Sequence, residues 1–82
     1  MARNELKKAV EAALPKGWRL AYLDLTTGWL KVTCPIVDRF EVELEAFNAN
    51  VERIAKAANA AYVGGGAMVG GDRYDCFFHL ND

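Results

Sequence analysis

His79 is the only histidine in this chain, and Tyr74, Asp75 and Cys76 stand close before it, so acid–base or metal chemistry would be sought there first. A general base needs a partner that orients it, and a structural metal needs four converging donors. Cys76-Phe77-Phe78-His79 has a spacing seen in metal ligands, yet on an extended segment positions three apart point to opposite faces. Cys34 could add only one further sulfur, which leaves too few donors for zinc. Asp75 and Tyr74 alternate in the same way, so neither a metal, a cofactor nor a catalytic base is expected. The chain contains no Ser and no Gln, which excludes serine-nucleophile chemistry. Glu41, Glu43 and Glu45 stand in line rather than convergent, unlike a paired-carboxylate site. The expectation is a protein without catalytic activity.

Gly64 to Asp72 is rich in glycine and invites a phosphate-loop reading, which fails on pattern and on polarity. No Gly-x-x-x-x-Gly-Lys-Ser/Thr occurs, and Val69 occupies the third glycine position of the dinucleotide spacing. The glycines also follow a helical pattern, whereas phosphates bind the opposite, N-terminal end of a helix. They read as a helix cap and turn.

The elements that must position these residues follow from periodicity. Residues 3–14 predict a helix with Leu6, Val10, Ala13 and Leu14 on one face, ended by Pro15 and Gly17. Residues 18–25 and 29–34 predict two strands. A two-residue turn at Thr27-Gly28 would pair Leu25 with Leu30, Asp24 with Lys31, Leu23 with Val32 and Ala21 with Cys34. Ala21, Leu23, Leu25, Leu30, Val32 and Cys34 would then face the core, and Trp18, Leu20, Tyr22, Trp29, Lys31 and Thr33 the other side. Phe40-Glu41-Val42-Glu43-Leu44-Glu45 alternates apolar and acidic residues without a break and predicts a third strand over 39–46. Its glutamates would form a row, roughly 6.6–6.8 Å apart. A second helix is expected over 49–63, capped by Asn48 or Asn50, with Val51, Ile54, Ala55, Ala58 and Ala61 inward and Gly64-Gly65-Gly66 as its stop. Residues 73–80 predict the last strand, with Tyr74, Cys76, Phe78 and Leu80 on one side, and Ala67-Met68-Val69 leave room for a short extra strand before it.

The fold class is therefore α+β over residues 1–82 as one small domain: a mainly antiparallel sheet with two helices on one face, in the order α-β-β-β-α-β. The core should contain Leu6, Val10, Leu23, Val32, Val42, Leu44, Ile54 and Phe78. At 82 residues the chain is near the low end of what one core can stabilise. A net charge of -1 argues against nonspecific attraction to nucleic acid or to an anionic membrane. No apolar run approaches the roughly 20 residues of a membrane span, and the charged N-terminus has no signal-peptide core, so a cytoplasmic location is expected. In that compartment Cys34 and Cys76 should be buried and reduced.

Two resemblances bear on function. The order α-β-β-β-α over residues 3–63, with Glu52-Arg53-Ile54-Ala55-Lys56-Ala57-Ala58 in its second helix, resembles the double-stranded-RNA-binding domain. That resemblance implies RNA binding, although Val51 and Glu52 stand where the family clusters lysines. In size, acidic stripe and lack of a catalytic motif the chain looks like small phage-encoded inhibitors of the anti-CRISPR type. This implies a regulator or inhibitor of a larger, nucleic-acid-handling complex whose basic surface the carboxylates would meet. The residues themselves point to a protein-binding face made of Trp18, Tyr22, Trp29, Lys31, Arg39, Glu41, Glu43 and Glu45, aromatic anchors with a polar rim. A protein partner is favoured over direct contact with nucleic acid, and a homodimeric interaction domain is a third reading.

Overall fold

A computed structural model describes residues 2–67 and 70–81. Helix α1 (Arg3–Ala13) buries Leu6 and Val10, one turn apart on the same face, and stops where Pro15 forces Leu14 into an extended conformation. Strands β1 (Arg19–Asp24) and β2 (Trp29–Pro35) form an antiparallel hairpin, followed by a short helix α2 (Ile36–Phe40) and a long helix α3 (Leu44–Ala58). Strands β3 (Ala60–Ala67) and β4 (Arg73–Leu80) complete a four-stranded antiparallel sheet in the order β1-β2-β4-β3. The fold class is α+β as expected, with the element order α-β-β-α-α-β-β. Helices α1 and α3 cover one face, where Val10, Leu30, Val32, Ile54 and Phe78 are fully enclosed.

The expected third strand over 39–46 is instead the end of α2, a turn and the start of α3. Phe40, Val42 and Leu44, assigned to the core by the alternation, are 60%, 48% and 54% exposed. Helix wins here because Phe47, Val51, Ile54 and Ala58 form a buried stripe at helical spacing, and the helix extends back from it. Glutamate also disfavours strands, and Glu43 at the N-cap with Glu45 in the first turn suits the positive end of the helix dipole. The order of elements that resembled a double-stranded-RNA-binding domain is thereby lost.

The helix expected over 49–63 also ends earlier. Asn59 adopts the left-handed conformation, φ 51°, and its N–H donates to the carbonyls of Ala55 and Lys56. Asn48 and Asn50 lie inside α3 rather than at its cap, and Gly64, Gly65 and Gly66 belong to β3. Ala61 is accordingly an exposed strand residue. Of the short strand expected at 67–69, Ala67 ends β3, while Met68 and Val69 lie outside the described residues.

The first hairpin forms two residues out of the expected register, which keeps Leu23 and Leu30 on the core side. Leu23 pairs with Leu30 and Asp24 with Trp29, leaving Leu25 to Gly28 as the loop. The cause is the Asp24 carboxylate, which accepts from the Thr26 N–H at 2.9 Å and folds the loop back locally. That backbone bond holds the Asp24 carboxyl below its ordinary range. Leu25, in that loop, is exposed, and a bulge at Ala21 reverses the facing of the residues before it, so that Leu20 packs towards the core while Ala21 is exposed. Trp18, expected on the outer side, is buried in the core.

Cys34 and Cys76 are free, fully buried, and offset by two residues on the neighbouring strands β2 and β4. The hydrogen bond shared with Cys34, together with burial, pushes the Cys76 thiol well above its ordinary range. Neither thiol should react with an aromatic disulfide reagent in the native protein, and both should react in denaturant. Stoichiometric labelling of either cysteine without denaturant, or a native mass two hydrogens light, would contradict this.

Candidate functional site

Among the described residues no helix covers the sheet face opposite α1 and α3. Strand alternation and the observed register set its side chains in rows. Tyr22, Lys31, Phe77 and Gly64 form the middle row, Asp24, Trp29, His79 and Ala61 the row on one side, and Arg19, Thr33, Asp75 and Gly66 the row on the other. Adjacent rows of aromatic and charged residues are thus fixed by three strand pairings.

In the middle row the Lys31 ammonium lies 5.9 Å from the Tyr22 ring and 5.7 Å from the Phe77 ring, with Asp75 Oδ2 at 3.5 Å. Cation–π attraction and the ion pair hold it between the two rings. Asp75 thereby takes the partner role expected of Asp24. In the next row Trp29 meets His79 edge-on at 4.9 Å. The imidazole Nε2 lies 3.0 Å from the Thr27 carbonyl oxygen, and Nδ1 lies 3.0 Å from that of Leu80. Both partners are acceptors, so a neutral imidazole donates its single N–H to one of the two carbonyls, and the ring lies against the hairpin loop. Arg73 is similarly engaged: its guanidinium donates to the Gly17 carbonyl at 2.8 Å and to the Thr33 carbonyl at 3.0 Å, tying β4 to β2 and to the turn before β1.

The middle of this face is concave. Tyr22, Trp29, Val63, Gly64 and Phe77 line a shallow, almost wholly apolar hollow of about 330 Å³. Its shape follows from the glycines of the edge strand. A Cβ at Gly64 or Gly66 would meet nothing within 4 Å, so β3 presents bare backbone beside Phe77. Gly64 has φ 147°, next to a bulge at Val63 that turns this valine outward, 57% exposed.

Of the residues assigned to a partner surface from the sequence, the structure brings together Tyr22, Trp29 and Lys31 alone. Trp18 is 5% exposed: its indole N–H donates to Asp38 Oδ2 at 2.8 Å, and its ring lies 5.8 Å from Phe47. Arg39 sits on the helix side, its guanidinium 5.1 Å from the Phe40 and Phe47 rings and 5.6 Å from Tyr74. Glu41, Glu43 and Glu45 are exposed at the corner between α2 and α3 and not on the sheet. The acidic and aromatic halves of the expected face are therefore separate surfaces. Phe77, Val63 and Gly64 complete the hollow. The alternation that puts Cys76 and Phe78 inward already turns Phe77 outward, whereas no local signal marks the glycines as strand.

Among the described residues no three His, Cys, Asp or Glu side chains converge on a common point, and no helix is long and apolar enough to cross a membrane. Comparisons with protein-family models, with curated proteins and with solved structures found no match to this chain.

Proposed function

We propose that this chain is a noncatalytic protein-binding domain that docks its open sheet face on a larger partner and regulates or inhibits that partner by occupying it. The supporting observation is the hollow between Tyr22, Trp29, Val63 and Phe77, an apolar patch held on paired strands and left uncovered by the described residues. Tyrosine and tryptophan in such a position are the usual anchors of an interface, and strands already fixed by pairing have little freedom left to lose on binding. The hollow suits an aliphatic or aromatic side chain of the partner. Arg19 and Lys31 on the rim suit acceptor groups around it, so this face does not itself select a basic partner.

One feature favours a second reading. A lysine between the exposed Tyr22 ring and the half-buried Phe77 ring, with Arg19 in the next row, is also the composition of a platform on which single-stranded nucleic acid stacks.

Affinity capture from the source cell, with and without nuclease, separates the two. A protein retained after nuclease treatment, and bound about tenfold more weakly by Trp29→Ala and by Phe77→Ala at unchanged circular dichroism, is the expected result. Equal retention by the folded variants would remove the open face from the function. Tight binding of wild-type protein to a single-stranded oligonucleotide at physiological salt, lost in the same variants, would establish the second reading instead.

A further inference from the structure

Half of the large apolar side chains that stand exposed among the described residues fall within positions 37–44: Val37, Phe40, Val42 and Leu44. They lie where α2 turns into α3, on the helix side of the molecule and away from the open sheet face. The turn is tight, with the N–H groups of Glu41 and Val42 both donating to the Val37 carbonyl at 2.8 and 3.0 Å, so the four side chains share one corner. Helix α2 buries none of its residues.

The same corner is strongly acidic. Residues 36–45 contain Asp38, Glu41, Glu43 and Glu45 against the single cation Arg39. Among the described residues none of the three glutamates has a basic group within ion-pair distance, because the Arg39 guanidinium lies over the rings of Phe40, Phe47 and Tyr74. The dipole of α3 accounts for carboxylates at Glu43 and Glu45. It does not account for the phenylalanine, leucine and valines held in water between them.

We propose that this corner is a second docking surface, specific for a cationic segment with an apolar face. Charge complementarity selects that occupant: lysines or arginines of the segment would meet Glu41, Glu43 and Glu45 while its apolar residues cover Phe40, Val42 and Leu44. A second copy set symmetrically on the same corner would place glutamates against glutamates, and an anionic bilayer would be repelled. The surface stands independently of the open sheet face.

The test uses the whole chain and three synthetic probes: a lysine–leucine amphipathic peptide, an oligolysine, and the glutamate–leucine counterpart of the first. Amide chemical shifts and fluorescence anisotropy report binding. The lysine–leucine peptide should bind, with shifts confined to residues near 36–46, and should lose about tenfold in affinity between about 50 and about 300 mM salt. The other two peptides should bind at least about tenfold more weakly. The triple change Glu41→Gln, Glu43→Gln, Glu45→Gln and the pair Val42→Ser, Leu44→Ser should each weaken binding about tenfold at unchanged circular dichroism, since every altered side chain is exposed. The proposal is overturned if the lysine–leucine peptide does not bind, if its shifts map to Trp29 and Phe77, or if oligolysine binds equally well. Self-association of the wild type that the triple variant abolishes would assign the corner to a second copy and equally refute it.

Discussion

Trp18→Ala is expected to cost about 3–5 kcal/mol, whereas Trp29→Ala should change stability by less than about 1 kcal/mol. A domain of this length has roughly 4–12 kcal/mol in total, so the first variant should lose between about a quarter and all of its stability and the second little of it. The difference comes from two tryptophans that the sequence places on one face. Trp18 fills the space between the start of β1 and α3, against Phe47, and its indole N–H satisfies the Asp38 carboxylate across the molecule. Removing the ring leaves a cavity and an unpaired, half-buried carboxylate at once. Trp29 is 37% exposed, meets His79 edge-on and makes no side-chain hydrogen bond among the described residues. Trp18→Phe separates the two contributions, since it keeps most of the packing and loses only the hydrogen bond, worth about 1 kcal/mol. Urea denaturation of the three variants decides the matter. Coincident midpoints for Trp18→Ala and Trp29→Ala would mean that Trp18 is not the structural tryptophan.

Gly65→Ala should lower stability by about 1–3 kcal/mol, while Gly66→Ala, one position along the same strand, should be close to neutral. The two glycines face opposite sides of the sheet. A Cβ at Gly65 would fall 2.5 Å from the Tyr74 ring and also against the Asp75 backbone, in a place where Tyr74 is buried and packed by Phe40 and Phe47. Tyr74 would have to leave its rotamer or β3 would have to move off β4. At Gly66 the added methyl enters open space, and the loss of chain freedom in the unfolded state favours alanine slightly. Thermal melting reads the contrast, with a shift of roughly 4–8 °C for each kcal/mol in a domain of this size. Equal melting temperatures for the two variants would show that Tyr74 does not pack on β3.

Most of the fold can be read from local pattern where one period governs a whole segment. Leu6 and Val10 define α1, and Tyr74, Cys76 and Phe78 define β4 to the residue. Pattern fails where two periods overlap. Phe40, Val42 and Leu44 satisfy a strand, but Phe47, Val51 and Ile54 continue into a helix, and only the packing of that helix on the sheet decides where it begins. A bulge is a second kind of failure, since the extra residue at Ala21 reverses all that precedes it and moves Trp18 from surface to core. The candidate surface suffered from both. Tyr22, Trp29 and Lys31 lie beyond the bulge and keep their outward face, while the glutamates leave the sheet altogether. Gly64 and Gly66 shape the hollow by having no side chain, and nothing in their own residue type distinguishes a bare strand from a helix stop.

Strand β4 lies between β2 and β3 although it is the last of the four to leave the ribosome. Without β4 the inner edge of β2 has no neighbour and β3 has no sheet to join. The strand that supplies Phe78 and Cys76 to the core also bonds to both neighbours, so one late insertion closes the sheet and the core together. Pairings between segments so distant in the chain make folding slower than in a helical domain of equal size, and they leave little for a half-made product to rest on. Deleting β1 or β3 would trim an edge of the sheet, whereas deleting β4 would divide it in two.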